Sequence, residues 1–242
     1  MARRPAALEP NESVRDRTLQ LLRSRIISLE LAPGTSLSEN ELANELGISR
    51  TPVRESLILL REEGLVQVFP QVGTFVSRVD PERVSQAQFV REAIECASLS
   101  EAHEVDPGAL QSLQANIRDQ RDAERAGDVA AFFALDEDFH RGLLRATGHE
   151  SAWTTVNAAK AHLDRARRLS LIDTRPISSL VDQHASIVDA LSRHDRATAI
   201  AALRSHLRAV FEDVERIRQT SPELFSDGSQ ARPVRRTLTV LT

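Results

Sequence analysis

The sequence predicts a mainly α-helical protein in two parts, and three observations support this fold class. Residues 13–78 have the pattern helix, helix, tight turn, helix and β-hairpin. Residues 82–219 show helical periodicity with no convincing strand, and 242 residues are enough for two separate cores. We expect a disordered arm at 1–12, a winged helix-turn-helix at 13–78, an all-α antiparallel bundle of about six helices at 79–219, and a tail at 220–242.

Composition and charge restrict the class of protein before any motif is considered. The formal net charge is −4, so a nucleic-acid site would have to be a local basic patch. Cys96 is the sole cysteine, which excludes a disulfide within the chain and fits a reducing cytosol. The start MARRPAALEPNES lacks the apolar segment of a secretory signal, and no run approaches the ~18 apolar residues of a membrane span. We therefore expect a soluble cytoplasmic protein.

The first two helices are marked by their periodicity and by their ends. A helical pattern of apolar residues begins at Val14, and the segment APGT ends it. Ser38 and Glu41 then form an S-x-x-E capping box ahead of a second helix, which Gly47 terminates.

The third helix and the hairpin follow directly. Ser49 or Thr51 is expected to cap this helix, with Pro52 tolerated in its first turn, and Gly64 ends it. The segments LVQVF and TFVSRV are rich in β-formers and flank PQVG, so they predict a two-stranded ribbon. Two short helices joined by a tight turn and followed by a hairpin are typical of a winged helix-turn-helix.

Three arginines lie on one side of the third helix. At 100° per residue, Arg50, Arg54 and Arg61 fall within about 40° of one another, beside an apolar stripe that would face the core. Such a run can be a solvated helix face, or the module can bind protein. In a winged helix-turn-helix, however, the N-terminal residues of this helix meet base edges and phosphates. The clustered arginines therefore favour DNA.

Four polar residues occupy apolar positions of the predicted bundle. Asp136 and His140, spaced i and i+4, lie within a stripe of aromatic and aliphatic residues, and His184 and His206 continue apolar stripes on two later helices. Buried carboxylates and imidazoles are costly without partners, so these groups should meet each other or an ion. One interpretation is an Asp–His pair with two core histidines, and the other is a metal site.

The N-terminal part resembles the DNA-binding domain of GntR-type bacterial transcription regulators. The specific segments are LAPGTSLSENELA and SRTPVRE. The resemblance implies a dimer on a short palindromic operator, with the third helix in the major groove and the wing tip near the minor groove. The positions that match the family's DNA contacts are Ser49, Arg50, Thr51, Arg54 and, on the wing, Gly73. Asn40 stands where the family often has Arg, and its side chain is shorter and neutral.

The C-terminal part resembles the FCD ligand-binding domain of FadR-like GntR regulators. The segments QHASIVDAL and LRSHLRAVF carry the local signature. Many such domains bind a divalent metal through Asp-x-x-x-His on one helix and single histidines on two later helices. Asp136, His140, His184 and His206 match in type, order and helical placement. The donor set suits Zn, with Ni or Mn as alternatives.

The resemblance also implies an effector. Arg91 matches a family arginine that often helps to hold a carboxylate, although an ion pair with Glu95 explains it equally well. Arg165 is a second candidate for effector binding: it lies with Arg167 and Arg168 on a helix that is expected to cross the pocket, and the sequence does not decide which of the three points inward. The function expected is a ligand-responsive regulator, a repressor that acts as a homodimer on double-stranded DNA and is released by a small carboxylate.

A metalloenzyme of the bundle type is the alternative function. Three His and one Asp can activate a water molecule. No obvious general acid or base accompanies them, since Glu137 points about 100° away from Asp136 on the helix.

Overall fold

The computed structural model describes residues 13–102, 104–173 and 176–226. They fall into two compact units, one up to Arg78 and the other from Val79 to Phe225. The arm expected at 1–12 and residues 227–242 of the expected tail lie outside the described residues.

The N-terminal unit has three helices and a small antiparallel sheet. Strand β3 lies between β1 and β2 in this sheet. The sequence predicted a two-stranded ribbon, and β1 is additional: it has two residues, too few to show any alternation. The elements are α1 (Val14–Ile27), β1 (Ser36–Leu37), α2 (Glu39–Leu46), α3 (Arg50–Glu62), β2 (Val66–Phe69) and β3 (Gly73–Val76).

The turn between α2 and α3 follows from local chemistry. The Ser38 hydroxyl accepts a hydrogen bond from the Glu41 N–H at 3.3 Å and so caps α2. Gly47 ends that helix in the left-handed conformation, at φ 65°, which glycine adopts without steric penalty. Ser49 is the N-cap of α3 but makes no capping hydrogen bond with its side chain.

Helix α3 is anchored by one apolar face. Its buried residues are those of the stripe beside the arginines: Val53, Ser56, Leu57 and Leu60. The opposite face therefore carries its polar side chains into solvent.

The C-terminal unit is all-helical. Its helices are α4 (Pro81–Glu101), α5 (Pro107–Ala126), α6 (Val129–Ala146), α7 (Trp153–Ala159), α8 (Ala161–Asp173), α9 (Ile177–Ser192) and α10 (Arg196–Thr220). Where the sequence predicted one helix over 151–172, the structure has α7 and α8, separated at Lys160. No Gly or Pro marks this break.

The break at Lys160 coincides with a buried ion cluster. The Lys160 ammonium is almost inaccessible and contacts the carboxylates of Glu137 and Asp164. A buried cation requires such partners, because desolvation of an unpaired charge is costly. The periodicity of the sequence did not show this break, which coincides with the contact between Lys160 and Glu137, a residue distant in sequence.

The helical unit continues to Phe225, beyond residue 219 expected from the sequence. A short 3₁₀ turn spans Pro222–Leu224, and Phe225 is buried and forms a β-bridge with Val79. Among the described helices, none is long and apolar enough to cross a membrane.

The main core of the bundle surrounds a polar centre. Phe132, Phe139, Leu143, Ile187 and Leu203 are all buried in one apolar cluster contributed by several helices. The inward-facing polar residues of α6, α9 and α10 lie among these side chains, and this placement defines the candidate site.

Candidate metal centre and nucleic-acid interface

Three helices bring the four predicted ligands together. Asp136 and His140 come from successive turns of α6, His184 from α9 and His206 from α10. All four are buried, and one ligand atom from each lies within 4.8 Å of every other. Side chains separated by as many as 70 residues in sequence therefore converge on one point.

Each imidazole is oriented by an acceptor on its outer nitrogen. Carboxylate and side-chain amide oxygens accept hydrogen bonds, so a neutral imidazole bonded in this way carries its proton on Nδ1 and keeps a lone pair on Nε2. Outer partners of this kind accompany metal-binding histidines. The pairs are His140 Nδ1 with Glu95 Oε2 at 2.7 Å, His184 Nδ1 with Gln120 Oε1 at 2.8 Å, and His206 Nδ1 with Gln183 Oε1 at 2.8 Å.

The three Nε2 atoms face one another at short distances. His184 Nε2 lies 3.1 Å from His206 Nε2, which lies 3.3 Å from His140 Nε2. Asp136 Oδ1 is 3.6 Å from His184 Nε2 and has no hydrogen-bond partner. Adjacent nitrogens on a tetrahedral zinc are about 3.3 Å apart, given Zn–N bonds of about 2.0–2.1 Å. Converging lone pairs and an unpartnered buried carboxylate oxygen therefore fit a divalent cation.

The electrostatics favour the ligand form of these groups. Burial lowers the pKa of His184 to about 3 and holds the pKa of His206 well below its usual value, so both imidazoles are neutral at physiological pH. Burial opposes ionisation of Asp136, but the adjacent Arg167 guanidinium and further charges around the cluster together outweigh burial and hold the pKa of Asp136 well below its usual range. His184 and His206 thus offer neutral nitrogens, and Asp136 offers one anionic oxygen.

Sequence reasoning missed the residues that orient this centre. Gln120 follows Leu113 and Ile117 on the buried face of α5, a polar residue in an apolar stripe. That is the signal by which the four ligands were recognised, so Gln120 was detectable. Arg167 was not, because three arginines lie close together on α8 and periodicity did not decide between them.

Gln120→Leu should lower the affinity for zinc about 10- to 100-fold, because His184 would lose the acceptor that fixes its ring and tautomer. Competition with a chromophoric zinc chelator measures this affinity. Gln114→Leu, an exposed glutamine on the same helix, is the matched control and should bind zinc as the wild type does. Unchanged zinc affinity in a folded Gln120→Leu protein would show that this acceptor does not orient a ligand.

A small cavity adjoins the centre. Its volume is about 30 Å³, and His206 and Arg91 are among its lining residues. Arg91 is buried and donates from Nε to Glu95 Oε1 at 2.8 Å, while Glu95 also binds His140. The ion pair with Glu95, one of the two roles expected for Arg91, is present, and Arg91 also lines the cavity.

The two arginines of α8 differ in placement. Arg165 is fully buried, and burial lowers its pKa to about 10, but it does not line this cavity. Arg167 does line it, and its guanidinium also contacts Asp136 and Glu137.

The other candidate surface is the start of α3. Ser49, Arg50, Thr51 and Arg54 are all exposed there. An arginine fork can donate two hydrogen bonds to O6 and N7 of guanine, and hydroxyl groups can bind phosphate. Free N–H groups at a helix N-terminus also favour phosphate.

Two further predicted contacts lie on neighbouring elements of the same unit. Asn40 is exposed in the first turn of α2. Gly73 begins β3 at φ 144°, a backbone conformation that residues other than glycine rarely adopt.

Glu39 was not anticipated from the sequence. Its carboxylate accepts from Arg54 Nε and Arg50 Nη2, each at 3.2 Å, and the hydrogen bond from Arg54 is the main cause of the lowered pKa of Glu39. Both arginine side chains are more than half exposed, and ion pairs this accessible contribute little to stability. Phosphate or base oxygens can therefore replace Glu39 as their partner.

The comparisons with known proteins cover both units. Residues 15–76 match the family described as bacterial regulatory proteins, gntR family, and residues 86–209 match the FCD domain. The chain is 55% identical over 220 residues to an HTH-type transcriptional regulator in an unstable DNA locus of Streptomyces ambofaciens, covering 90% of this chain and 92% of that protein. It is 35% identical over 221 residues to the HTH-type transcriptional repressor RspR of Escherichia coli K12, covering 91% and 97%.

Solved structures share the fold at low sequence identity. A GntR transcriptional regulator from Rhodococcus sp. RHA1 superposes with a TM-score of 0.71 at 22% identity, covering 84% of this chain and 99% of that one. McbR/YncC of E. coli superposes with a TM-score of 0.70 at 18% identity, covering 85% and 99%.

Proposed function

This chain belongs to the GntR family of bacterial regulatory proteins and carries an FCD domain, and from this premise we propose that it is a metal-dependent, ligand-responsive repressor. It is a DNA-binding transcription regulator, not an enzyme. We propose that it binds a palindromic operator as a homodimer in the cytoplasm. A small carboxylate that coordinates a divalent metal in the helical unit would release it.

The observation that carries this proposal is the arrangement of the four buried donors. Three Nε2 lone pairs and the unpartnered Oδ1 of Asp136 converge, and every outer nitrogen has an acceptor. Zn is the metal that this donor set suits best, with Ni or Mn as alternatives. The metal would act as a Lewis acid toward a carboxylate ligand, while Asp136, His140, His184 and His206 hold it.

The cavity supports a carboxylate as the effector. Arg91 and Arg167 bring two guanidinium groups to its lining, beside the metal ligand His206. Guanidinium groups bind carboxylates through charge-assisted hydrogen bonds. An anionic ligand can therefore contact the metal and an arginine at once. FCD domains bind small effectors, so this cavity is where we place that effector.

The residues beside the centre argue against water activation. Glu137, which follows Asp136 in the sequence, is already engaged by Lys160 and Arg167. Each of its two carboxylate oxygens thus already has a cationic partner, so neither is free to accept a hydrogen bond from a metal-bound water.

DNA contact is assigned to the exposed start of α3 and to the wing. Ser49, Arg50, Thr51 and Arg54 are proposed for the major groove, with Asn40 beside them and Gly73 near the minor groove. A twofold-symmetric dimer presents two such helices, which is why a palindromic operator is expected.

Release requires a difference in affinity between two states of the protein. The largest change in DNA affinity that a ligand can cause equals the ratio of its own affinities for the two states. For coupled sites this factor is about 5- to 150-fold. Bound effector therefore weakens operator binding by the same factor by which bound operator weakens effector binding.

A thermal-shift screen of zinc-loaded protein against small mono-, di- and hydroxycarboxylates tests the effector class. A ligand at 100 times its dissociation constant adds about 2.7 kcal/mol to the free energy of unfolding, which a thermal shift detects. At least one acid should stabilise the wild type and lose its effect in His184→Ala. Zinc-loaded protein that no carboxylate stabilises would contradict the carboxylate assignment.

A further inference from the structure

One carboxylate connects the two arginines that are proposed to enter the major groove. Glu39 lies in the first turn of α2 and accepts from Arg54 Nε and from Arg50 Nη2, each at 3.2 Å. Ser38 caps the turn that carries Glu39, and a carboxylate at the N-terminus of a helix is stabilised by the helix dipole. Glu39 is half-buried, whereas both arginine side chains are more exposed. A well-supported carboxylate on one helix thus holds flexible side chains of the next.

The contact with Arg54 leaves the edge that reads a base unoccupied. Both oxygens of Glu39 accept from Arg54 Nε, at 3.2 and 3.3 Å. In the described part of the chain, Nη1 and Nη2 of Arg54 have no other hydrogen-bond or ion-pair partner. These two nitrogens form the end of a planar fork that matches O6 and N7 of guanine. Arg54 can therefore bind guanine while Glu39 remains on Nε.

Arg50 is held in a different way. Its bond to Glu39 uses Nη2, which belongs to the reading edge itself. Arg50 must therefore exchange Glu39 for DNA, whereas Arg54 need not. Of the two arginines, only Arg54 has a contact that orients the fork without competing with a base.

The charge of Glu39 has opposite effects on affinity and on specificity. Phosphates repel a carboxylate, so Glu39 lowers the affinity for any duplex. Binding immobilises a flexible side chain at a cost of about 2- to 13-fold in affinity, and an arginine that is already held avoids part of this loss. That benefit arises only where a guanine meets the fork of Arg54. The ion pair adds little to stability while it is exposed, but it strengthens when DNA excludes water from it.

We propose that Glu39 is a positioning residue that orients Arg54 for guanine, and that it raises the preference for the operator while it lowers the affinity for all DNA. This inference rests on the proposed function, since it presupposes that α3 reads bases in the major groove. Glu39 acts through Arg54 and makes no contact with DNA of its own.

The test uses full-length, zinc-loaded protein without added carboxylate. Its probes are an operator that the wild type selects from a random DNA library and a shuffled duplex of the same length. Fluorescence anisotropy gives both dissociation constants, and their ratio is the specificity ratio. Glu39→Ala should bind the shuffled duplex more tightly than the wild type does. It should nevertheless lower the specificity ratio about 5- to 150-fold, because a dimer loses the orientation of Arg54 in both half-sites.

Three further variants separate orientation from charge. Glu39→Gln lacks the charge but keeps one acceptor, so it should bind the shuffled duplex about as tightly as Glu39→Ala and retain more of the specificity ratio. Glu41→Ala removes the same charge from an exposed position in the same turn and should leave the specificity ratio within about twofold of the wild type. In an Arg54→Ala protein, adding Glu39→Ala should lower the ratio by no more than about twofold, since the pair is already broken.

Every other outcome counts against the inference. An unchanged or higher specificity ratio in Glu39→Ala would mean that the carboxylate only masks the arginines until DNA displaces it. A loss as large in the Arg54→Ala protein as in the wild type would mean that Glu39 does not act through Arg54. Either result overturns the role of Glu39 while α3 remains the recognition helix. If Arg54→Ala alone binds the operator normally, the assignment of α3 fails, and the inference about Glu39 fails with it.

Discussion

Arg54→Ala should weaken operator binding by about 30-fold or more while leaving the fold intact. A bidentate arginine–guanine contact is worth about 5- to 150-fold per site, and a twofold-symmetric dimer loses two of them. Arg54 is 62% exposed on the first turns of α3, so its removal leaves no cavity in the core. Fluorescence anisotropy with an operator selected from a random DNA library measures the loss.

The control for this substitution lies on the same helix. Arg61 is exposed in the last turn of α3, and Arg61→Ala should change operator affinity far less. Affinity should also fall steeply with salt in the wild type, because phosphate contacts release counterions. An Arg54→Ala protein with normal operator affinity would mean that α3 is not the recognition helix.

His184→Ala should lose most of the bound metal. It removes one of four donors, and the loss of affinity should exceed the 10- to 100-fold that removal of an outer partner produces. Inductively coupled plasma mass spectrometry of protein dialysed against limiting zinc gives the stoichiometry. Operator binding by the winged helix-turn-helix should persist, since the substitution lies in the other compact unit.

His194→Ala is the matched control for metal content. His194 is exposed in the turn between α9 and α10 and should leave the zinc stoichiometry unchanged. Full zinc content in His184→Ala would mean that His184 is not a metal ligand but a core histidine hydrogen-bonded to Gln120.

Much of the fold and of the centre was predictable from periodicity. The buried stripe of α3 follows from the rotation of 100° per residue in a helix. The four inward-facing polar residues follow from the same rotation and from the high cost of burying polar groups without partners. Asp136, His140, His184 and His206 stand out because each interrupts an apolar stripe. A rule about local spacing was sufficient here, since each helix packs by one face.

What periodicity missed depends on contacts that are distant in sequence. Glu39 pairs with Arg54 across a turn, and the break at Lys160 coincides with its contact to Glu137 on α6. Arg167, rather than Arg165, lines the cavity, although the two are two residues apart on one helix. Local spacing does not encode which of several arginines finds a carboxylate partner in the folded chain.

Control of DNA binding by the metal centre is tested most directly by the operator affinity of zinc-loaded protein while the stabilising carboxylate is titrated. The operator dissociation constant should rise about 5- to 150-fold as the acid saturates, and operator-bound protein should bind the acid more weakly by the same factor. His184→Ala should bind the operator yet fail to respond to the acid. An acid that binds the zinc-loaded wild type but leaves its operator affinity unchanged would contradict the claim that the metal centre controls DNA binding.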